Sequence, residues 1–136
     1  MGLALLQHTY SKVTEFMKAN YKNNMPVMKL KVFGPKGMKE YDAYLDTGAG
    51  RSLIPEKDAI DLGLPYAGDT TIITGTGKDS IKLYRATVSF LNRKFLILVF
   101  GRDLPEQALV KAMIGRDVLD NFKVCFDSIR REVEII

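Results

Sequence analysis

The 136-residue sequence is poor in the residues on which most covalent and metal-dependent hydrolases rely. It has one cysteine, Cys125, one histidine, His8, and no tryptophan. A single cysteine excludes an internal disulfide, and its apolar neighbours predict a small buried side chain. Because a serine or thiol nucleophile needs a neighbouring base and no motif surrounds His8, such centres are disfavoured. We expect no metal and no cofactor, and a cytoplasmic location fits the cysteine content.

Long apolar runs and clusters of one charge are also missing. No apolar run approaches the ~20 residues of a membrane-spanning helix, so no membrane span is predicted. Residues 1–6 are apolar but too few for an export signal, and no cationic segment precedes them. The net charge of +4 arises mainly in residues 1–40, whose seven lysines are scattered without arginine clusters or interleaved aromatic rings. A solvated face is therefore favoured over nucleic-acid or lipid binding.

Hydrophobic periodicity predicts an all-β domain at residues 26–136, preceded by a helical extension at residues 1–25. Apolar residues at positions 3, 6, 13, 16 and 17 follow helical spacing, whereas the alternation from Val27 onward has the period of a strand. The apolar arm 95–100 is expected in the central core. Strands are predicted at 27–33, 38–45, 52–54, 70–74, 81–84, 86–91, 95–100, 124–126 and 132–136, and short helices at 56–62 and 117–122.

The segment Asp46-Thr47-Gly48-Ala49 follows the predicted strand 38–45 and occurs once in the chain. A carboxylate at the end of a buried strand is costly to keep charged unless a neighbour bonds it or shares its proton. Two carboxylates about 3 Å apart cannot both ionise, so such a pair contains one base and one acid. Asp46 is therefore interpreted as half of a catalytic pair.

Four segments together resemble the single-domain, retropepsin-like aspartic proteases over residues 26–136. They stand in the order of that family: the Asp46 segment, a glycine-bearing hairpin tip, an apolar pair followed by glycine, and a terminal strand. The resemblance implies an all-β fold, namely a closed retropepsin-like barrel of hairpins with a glycine-tipped flap and one or two short helices. The flap residues are Thr74, Gly75, Thr76 and Gly77, and the later motif comprises Met113, Ile114, Gly115, Arg116 and Asp117.

The resemblance also implies a function, that of an aspartic endopeptidase. A homodimer would bring Asp46 of each copy to the two-fold axis, where water between the carboxylates cleaves extended, largely apolar polypeptide substrates. Thr47 would reach the partner's loop, Gly48 would permit close approach, and Ala49 would leave room for substrate. The flap glycines would let the hairpin close over the peptide. A binding or assembly module that keeps the fold without turnover is the alternative.

Two further side chains are candidates for the substrate pocket. Tyr44 projects to the same side of its strand as Asp46, and Met113 precedes the glycine motif. A core position beneath the site is an equally weighted alternative for both. The family usually places an acidic residue just after its Asp-Thr-Gly-Ala segment, to pair with the later arginine, but here Arg51 lies in that region. We expect Asp117 to offset Arg51 instead.

Overall fold

The computed structural model describes residues 17–136, which form a β-rich domain with two short helices. Most strands bury one face, as the alternation of apolar and polar residues predicts. None of the described helices is long and apolar enough to cross a membrane. The described elements are β1 (Met17–Asn20), β2 (Val27–Gly34), β3 (Gly37–Leu45), β4 (Leu53–Ile54), α1 (Glu56–Asp61), β5 (Tyr66–Thr74), β6 (Gly77–Phe90), β7 (Arg93–Gly101), β8 (Ala112–Ile114), α2 (Arg116–Leu119), β9 (Val124–Asp127) and β10 (Glu132–Ile135).

Six of these strands close into a barrel, which confirms the predicted fold class. Hydrogen bonding runs in the order β2, β3, β8, β4, β7 and β6, and pairing of β6 with β2 closes the ring. Neighbouring strands are antiparallel, except that β3 lies parallel to β8 and β4 lies parallel to β7. Among the described strands β5 pairs with β6 alone, so it lies outside the closed ring.

The barrel core is formed by the apolar residues that alternate with polar ones along the strands. In β2, Leu30 and Val32 are fully buried while Lys29 and Lys31 are exposed. Burying one such aliphatic side chain contributes about 1.5–3 kcal/mol, so the core dominates the forces that hold the strands in register. The other large, fully buried apolar side chains are Ile54, Val88, Phe90, Val99, Ile114, Val118 and Val133.

A polar contact ties helix α1 to strand β3. Tyr41 Oη donates to Asp58 Oδ2 at 2.7 Å, and Lys39 Nζ donates to Asp58 Oδ1 at 2.8 Å. Burial and the neighbouring Asp58 carboxylate both raise the pKa of Tyr41 far above its usual value. The hydrogen bond to Asp58 likewise raises the pKa of Lys39. The tyrosine therefore stays a neutral donor to Asp58 throughout the ordinary pH range.

In a second sheet, β10 lies between β1 and β9. Because β1 belongs to this sheet, part of the predicted N-terminal helix was wrong. Residues 17–20 form a strand in which Met17 lies opposite Ile135 and Asn20 opposite Glu132. Buried Val133 and Ile135 hold this pairing, and such long-range contacts override the helical spacing of a short segment. Residues 1–16 of the predicted extension lie outside the described residues. The terminal strand β10 belongs to a sheet, as expected, but as its middle strand. The boundary at residue 26 stays a prediction.

Three smaller expectations from the sequence were wrong. The predicted strands 81–84 and 86–91 belong to the single 14-residue strand β6, which ends one residue earlier, at Phe90. The arm 95–100 lies in β7, but Val99 is the only buried residue of these six. Leu96 is 86% exposed, because one face of the strand points outward. Cys125 is half-buried in β9 rather than part of the core.

Candidate active site

The Asp46 loop begins where β3 and β8 end together. Leu45 lies beside Ile114 in the parallel pair, and Asp46 N donates to Ile114 O at 2.9 Å. The loop then turns tightly, since Gly48 N donates to Asp46 Oδ1 at 2.9 Å and Ala49 N donates to Asp46 O at 3.2 Å. A Cβ at Gly48 would lie 3.2 Å from Asp46 Oδ1 and crowd it. The half-buried carboxylate is therefore oriented by the backbone N–H of Gly48, and a larger residue there would push it aside.

A buried hydroxyl anchors the far end of this loop. Ser52 is 0% exposed and is the only polar residue among the buried side chains of the described chain. Its Oγ donates to Asp117 Oδ1 at 2.8 Å and accepts from Gly115 N at 3.0 Å. Ser52 N donates to Asp117 Oδ2 at 2.9 Å, so both carboxylate oxygens of Asp117 bond one residue. The loop is thereby fixed to the segment that opens α2.

Gly115 and Arg116 complete this junction. A Cβ at Gly115 would lie 2.6 Å from the carbonyl carbon of Arg51 and 2.9 Å from Ala49 O, so no side chain fits there. Arg116 N donates to Ala49 O at 2.8 Å, and Arg116 Nη1 donates to Thr47 O at 2.8 Å. The motif that the sequence singled out at residues 114–117 therefore holds the Asp46 loop at both ends.

The expected pairing of Arg51 with Asp117 was wrong. Within residues 17–136 no ion pair of 4.0 Å or less joins the two side chains. The reason is competition at the carboxylate, because Ser52 bonds both of its oxygens from inside the same junction. Asp117 thus acts as a hydrogen-bond acceptor for the loop backbone and not as a counter-charge.

The two pocket candidates lie side by side. Tyr44 on β3 is the register partner of Met113 on β8, and Leu53 on β4 is the next partner in the same row. All three are half-buried, whereas their neighbours Ala43 and Ile114 are buried in the core, so the row faces away from it. Leu53 joins this apolar surface although the sequence interpretation had not selected it.

The glycine-tipped hairpin is present as predicted, with a turn shorter than expected. β5 and β6 pair from Thr70 opposite Ile81 to Thr74 opposite Gly77, which leaves Gly75 and Thr76 as the turn. Thr74 Oγ1 donates to Gly77 O at 3.0 Å, and Gly77 has a φ of 124°, a conformation that favours glycine. The four predicted flap residues, 74–77, form the tip of this hairpin, and from here on the flap means residues 70–81 as a whole.

Known aspartic proteases resemble this chain in part of its sequence and in its fold. The family model described as "Aspartyl protease" matches residues 28–93. The crystal structure of a retropepsin-like aspartic protease from Rickettsia conorii is similar with a TM-score of 0.60 at 17% identity, covering 89% of each chain. EIAV protease complexed with the inhibitor HBY-793 has a TM-score of 0.56 at 19% identity, covering 76% of this chain and 93% of its own. No curated protein sequence matches significantly.

The chain has the retropepsin-like fold of these proteases, and the aspartyl protease family model matches just under half of its residues. The matched stretch of this retropepsin-like chain includes the Asp46 loop and the flap but ends before the motif at 114–117. Sequence reasoning missed Ser52 and Leu53. The signal was strand alternation: with Ile54 facing the core, Ser52 faces inward as well and Leu53 faces outward.

In the single retropepsin-like chain Asp46 is half-buried, and its loop neighbours Thr47 and Gly48 are exposed. Two surface cavities of about 560 and 460 Å³ lie elsewhere, and neither is lined by Asp46. The Asp46 carboxylate makes no hydrogen bond or ion pair with another ionisable side chain of residues 17–136. In the same range no group of three or more His, Cys, Asp or Glu residues is placed to hold a metal ion.

Proposed function

We propose that the chain is an aspartic endopeptidase that works as a homodimer, with water activated between the Asp46 carboxylates of the two copies. The observation that carries the proposal is the Asp46 loop itself, in which Gly48 N orients one carboxylate oxygen at 2.9 Å. A carboxylate held in this way by backbone is preorganised for proton transfer and costs little reorganisation during the reaction.

The second carboxylate is best supplied by a second copy. Within the sequence, Asp127-Ser128-Ile129 is the segment most similar to Asp-Thr-Gly. Asp127 is engaged elsewhere, because its Oδ1 accepts from Ile129 N and Arg130 N in the turn after β9. Thr47 and Gly48 are exposed beside Asp46, so a symmetric neighbour can approach them closely. In the dimer one carboxylate takes a proton from water while the other protonates the carbonyl oxygen of the scissile peptide.

The substrate proposed is an extended polypeptide with apolar side chains. One half-buried row of apolar side chains lies near Asp46 and consists of Tyr44, Met113 and Leu53. Its nearest member along the chain is Tyr44, two residues before Asp46. Such a row suits apolar side chains of a bound strand, and the flap provides a lid whose turn contains Gly75. The supporting residues Ile114, Gly115, Arg116 and Asp117 keep the carboxylate fixed while substrate enters.

Asp46→Asn tests the catalytic assignment. We expect the variant to lose cleavage of dye-quenched, denatured casein by at least about a hundredfold, because an amide cannot take the proton of water. Asp127→Asn is the matched control and should keep full activity. A tetrahedral, hydroxyl-bearing peptide inhibitor should block the wild type. Equal cleavage by wild type and Asp46→Asn would refute the assignment, whereas inhibitor binding without any wild-type cleavage would favour a peptide-binding module.

A mixing experiment tests the shared site. With equal amounts of wild type and Asp46→Asn allowed to exchange subunits, only about one quarter of random dimers carry two aspartates. The activity per wild-type chain in the mixture should therefore be about half of that of unmixed wild type. Analytical ultracentrifugation should show dimers under the same conditions. Activity that stays proportional to the wild-type chain, from a species that sediments as a monomer, would contradict the homodimer.

A further inference from the structure

The flap hairpin extends beyond the barrel and joins it only at the end of the hairpin far from the turn. β6 pairs with β7 only as far as Lys82, opposite Gly101, and beyond that residue its described strand partner is β5. At about 3.3 Å per residue, the stretch from Lys82 to Gly77 forms a lever of roughly 17 Å. Every residue from 73 to 80 is exposed. The barrel ladder therefore does not fix the position of the flap turn.

Arg102, the residue that follows β7, spans the gap between the barrel and the flap. Its Nη2 lies 3.0 Å from Asp79 Oδ2 and donates to Ser80 O at 2.9 Å. Asp79 Oδ1 accepts from Ser80 N at 2.8 Å, which turns the other oxygen toward the arginine. The backbone of Arg102 is itself anchored to the barrel, because Arg102 N donates to Ile54 O at 3.0 Å.

We propose that Arg102 is a positioning residue that latches the flap to the barrel through Asp79 and Ser80. The inference rests on the proposed peptidase function, in which the flap covers the bound peptide. With the latch formed, the unsupported part of the lever shortens from roughly 17 Å to roughly 7 Å, the distance from Asp79 to Gly77. Side-chain exposures of 32% for Arg102 and 52% for Asp79 make the contact breakable, as a lid that must reopen requires.

Hydrogen exchange tests the latch without any need for activity. The measurement uses the full chain carrying Asp46→Asn, which prevents self-digestion, with and without Arg102→Ala. We expect exchange of the flap amides in residues 72–80 to accelerate about threefold to tenfold, and exchange in residues 85–90 to stay unchanged. Arg130→Ala is the matched control, since it removes an exposed arginine paired at 3.9 Å with Asp127 in a different sheet. Unchanged flap exchange in Arg102→Ala would overturn the proposal.

Kinetics with Asp46 intact test the role in substrate binding. Arg102→Ala should raise KM for denatured casein about threefold to tenfold with kcat within about twofold, and 1 M salt should shrink the difference. The swap Arg102→Asp with Asp79→Arg should restore part of the loss. Faster flap exchange with unaltered KM would refute the positioning role. Inactivity of the wild type, with flap exchange altered as expected, would instead remove the proposed peptidase function and leave the latch standing.

Discussion

Ser52→Ala should destabilise the protein more than any other removal of a single hydroxyl from the described chain. The hydroxyl is fully buried and serves two partners at once, Gly115 N and Asp117 Oδ1. Deleting it leaves a backbone donor and a carboxylate oxygen without their bonds. The gap left by one oxygen atom is too small to admit a water molecule in its place.

The expected magnitude follows from the burial of the two partners. Gly115 is buried, so its orphaned N–H costs about 1–3 kcal/mol. Asp117 is half-buried and keeps the bond from Ser52 N, so loss at its other oxygen costs about 1 kcal/mol. The sum, about 2–4 kcal/mol, is a large part of the 5–15 kcal/mol that typically separates a folded domain from its unfolded chain.

Urea unfolding at one fixed protein concentration measures this loss, because association would make the apparent stability depend on concentration. Ser128→Ala, in the exposed turn after β9, is the matched control and should change the free energy of unfolding by no more than about 0.5 kcal/mol. The midpoint for Ser52→Ala should fall with an unchanged m-value. A loss below about 1 kcal/mol would mean that the Asp46 loop is anchored by its backbone bonds alone.

Two further changes test other parts of the structure. Gly115→Ala should cost about 2–4 kcal/mol in the same assay, because its Cβ would lie 2.6 Å from backbone that cannot swing away, whereas Gly75→Ala, with nothing within 4 Å, should cost under about 1 kcal/mol. Tyr41→Phe should cost about 1–2 kcal/mol near pH 7 through loss of the bond to Asp58. Since the pKa of Tyr41 is raised on folding, its contribution is complete below pH 10 and falls above it as the unfolded tyrosine ionises, so wild type and variant should converge between pH 10 and 11.5. A constant difference across that range would contradict the raised pKa.

Much of the barrel could be predicted from local pattern. The alternation that buries Leu30 and Val32 and exposes Lys31 fixes which face of β2 packs inward, and the turn at residues 35–36 fixes its partner. The Asp46 loop was visible because its residue types are chemically unusual at the end of a strand. The flap was visible because two glycines flank Thr76 between β-rich segments.

Features that depend on distant partners could not be predicted in this way. Met17 continues a helical spacing, and only its pairing with Ile135 makes it part of a strand. The apolar run of β7 gives no sign that Leu96 points to solvent, because successive side chains of a strand alternate between its two faces and composition does not tell which face is covered. Asp117 carries a charge that suggests an ion pair, whereas the junction uses its oxygens as acceptors for Ser52.

The contacts that anchor the proposed catalytic carboxylate are much stronger than those that anchor the flap. Asp46 sits in a loop whose anchors at Ser52 and Gly115 are buried, so moving it breaks bonds worth about 1–3 kcal/mol each. The flap is held from the barrel side by Arg102 through an exposed ion pair, typically worth about 0.2–1 kcal/mol, and by one bond to a carbonyl. Thermal motion therefore opens the lid long before it disturbs the carboxylate. In the proposed peptidase, admission of a polypeptide and precise placement of Asp46 are compatible because the flap and the Asp46 loop are anchored by separate contacts.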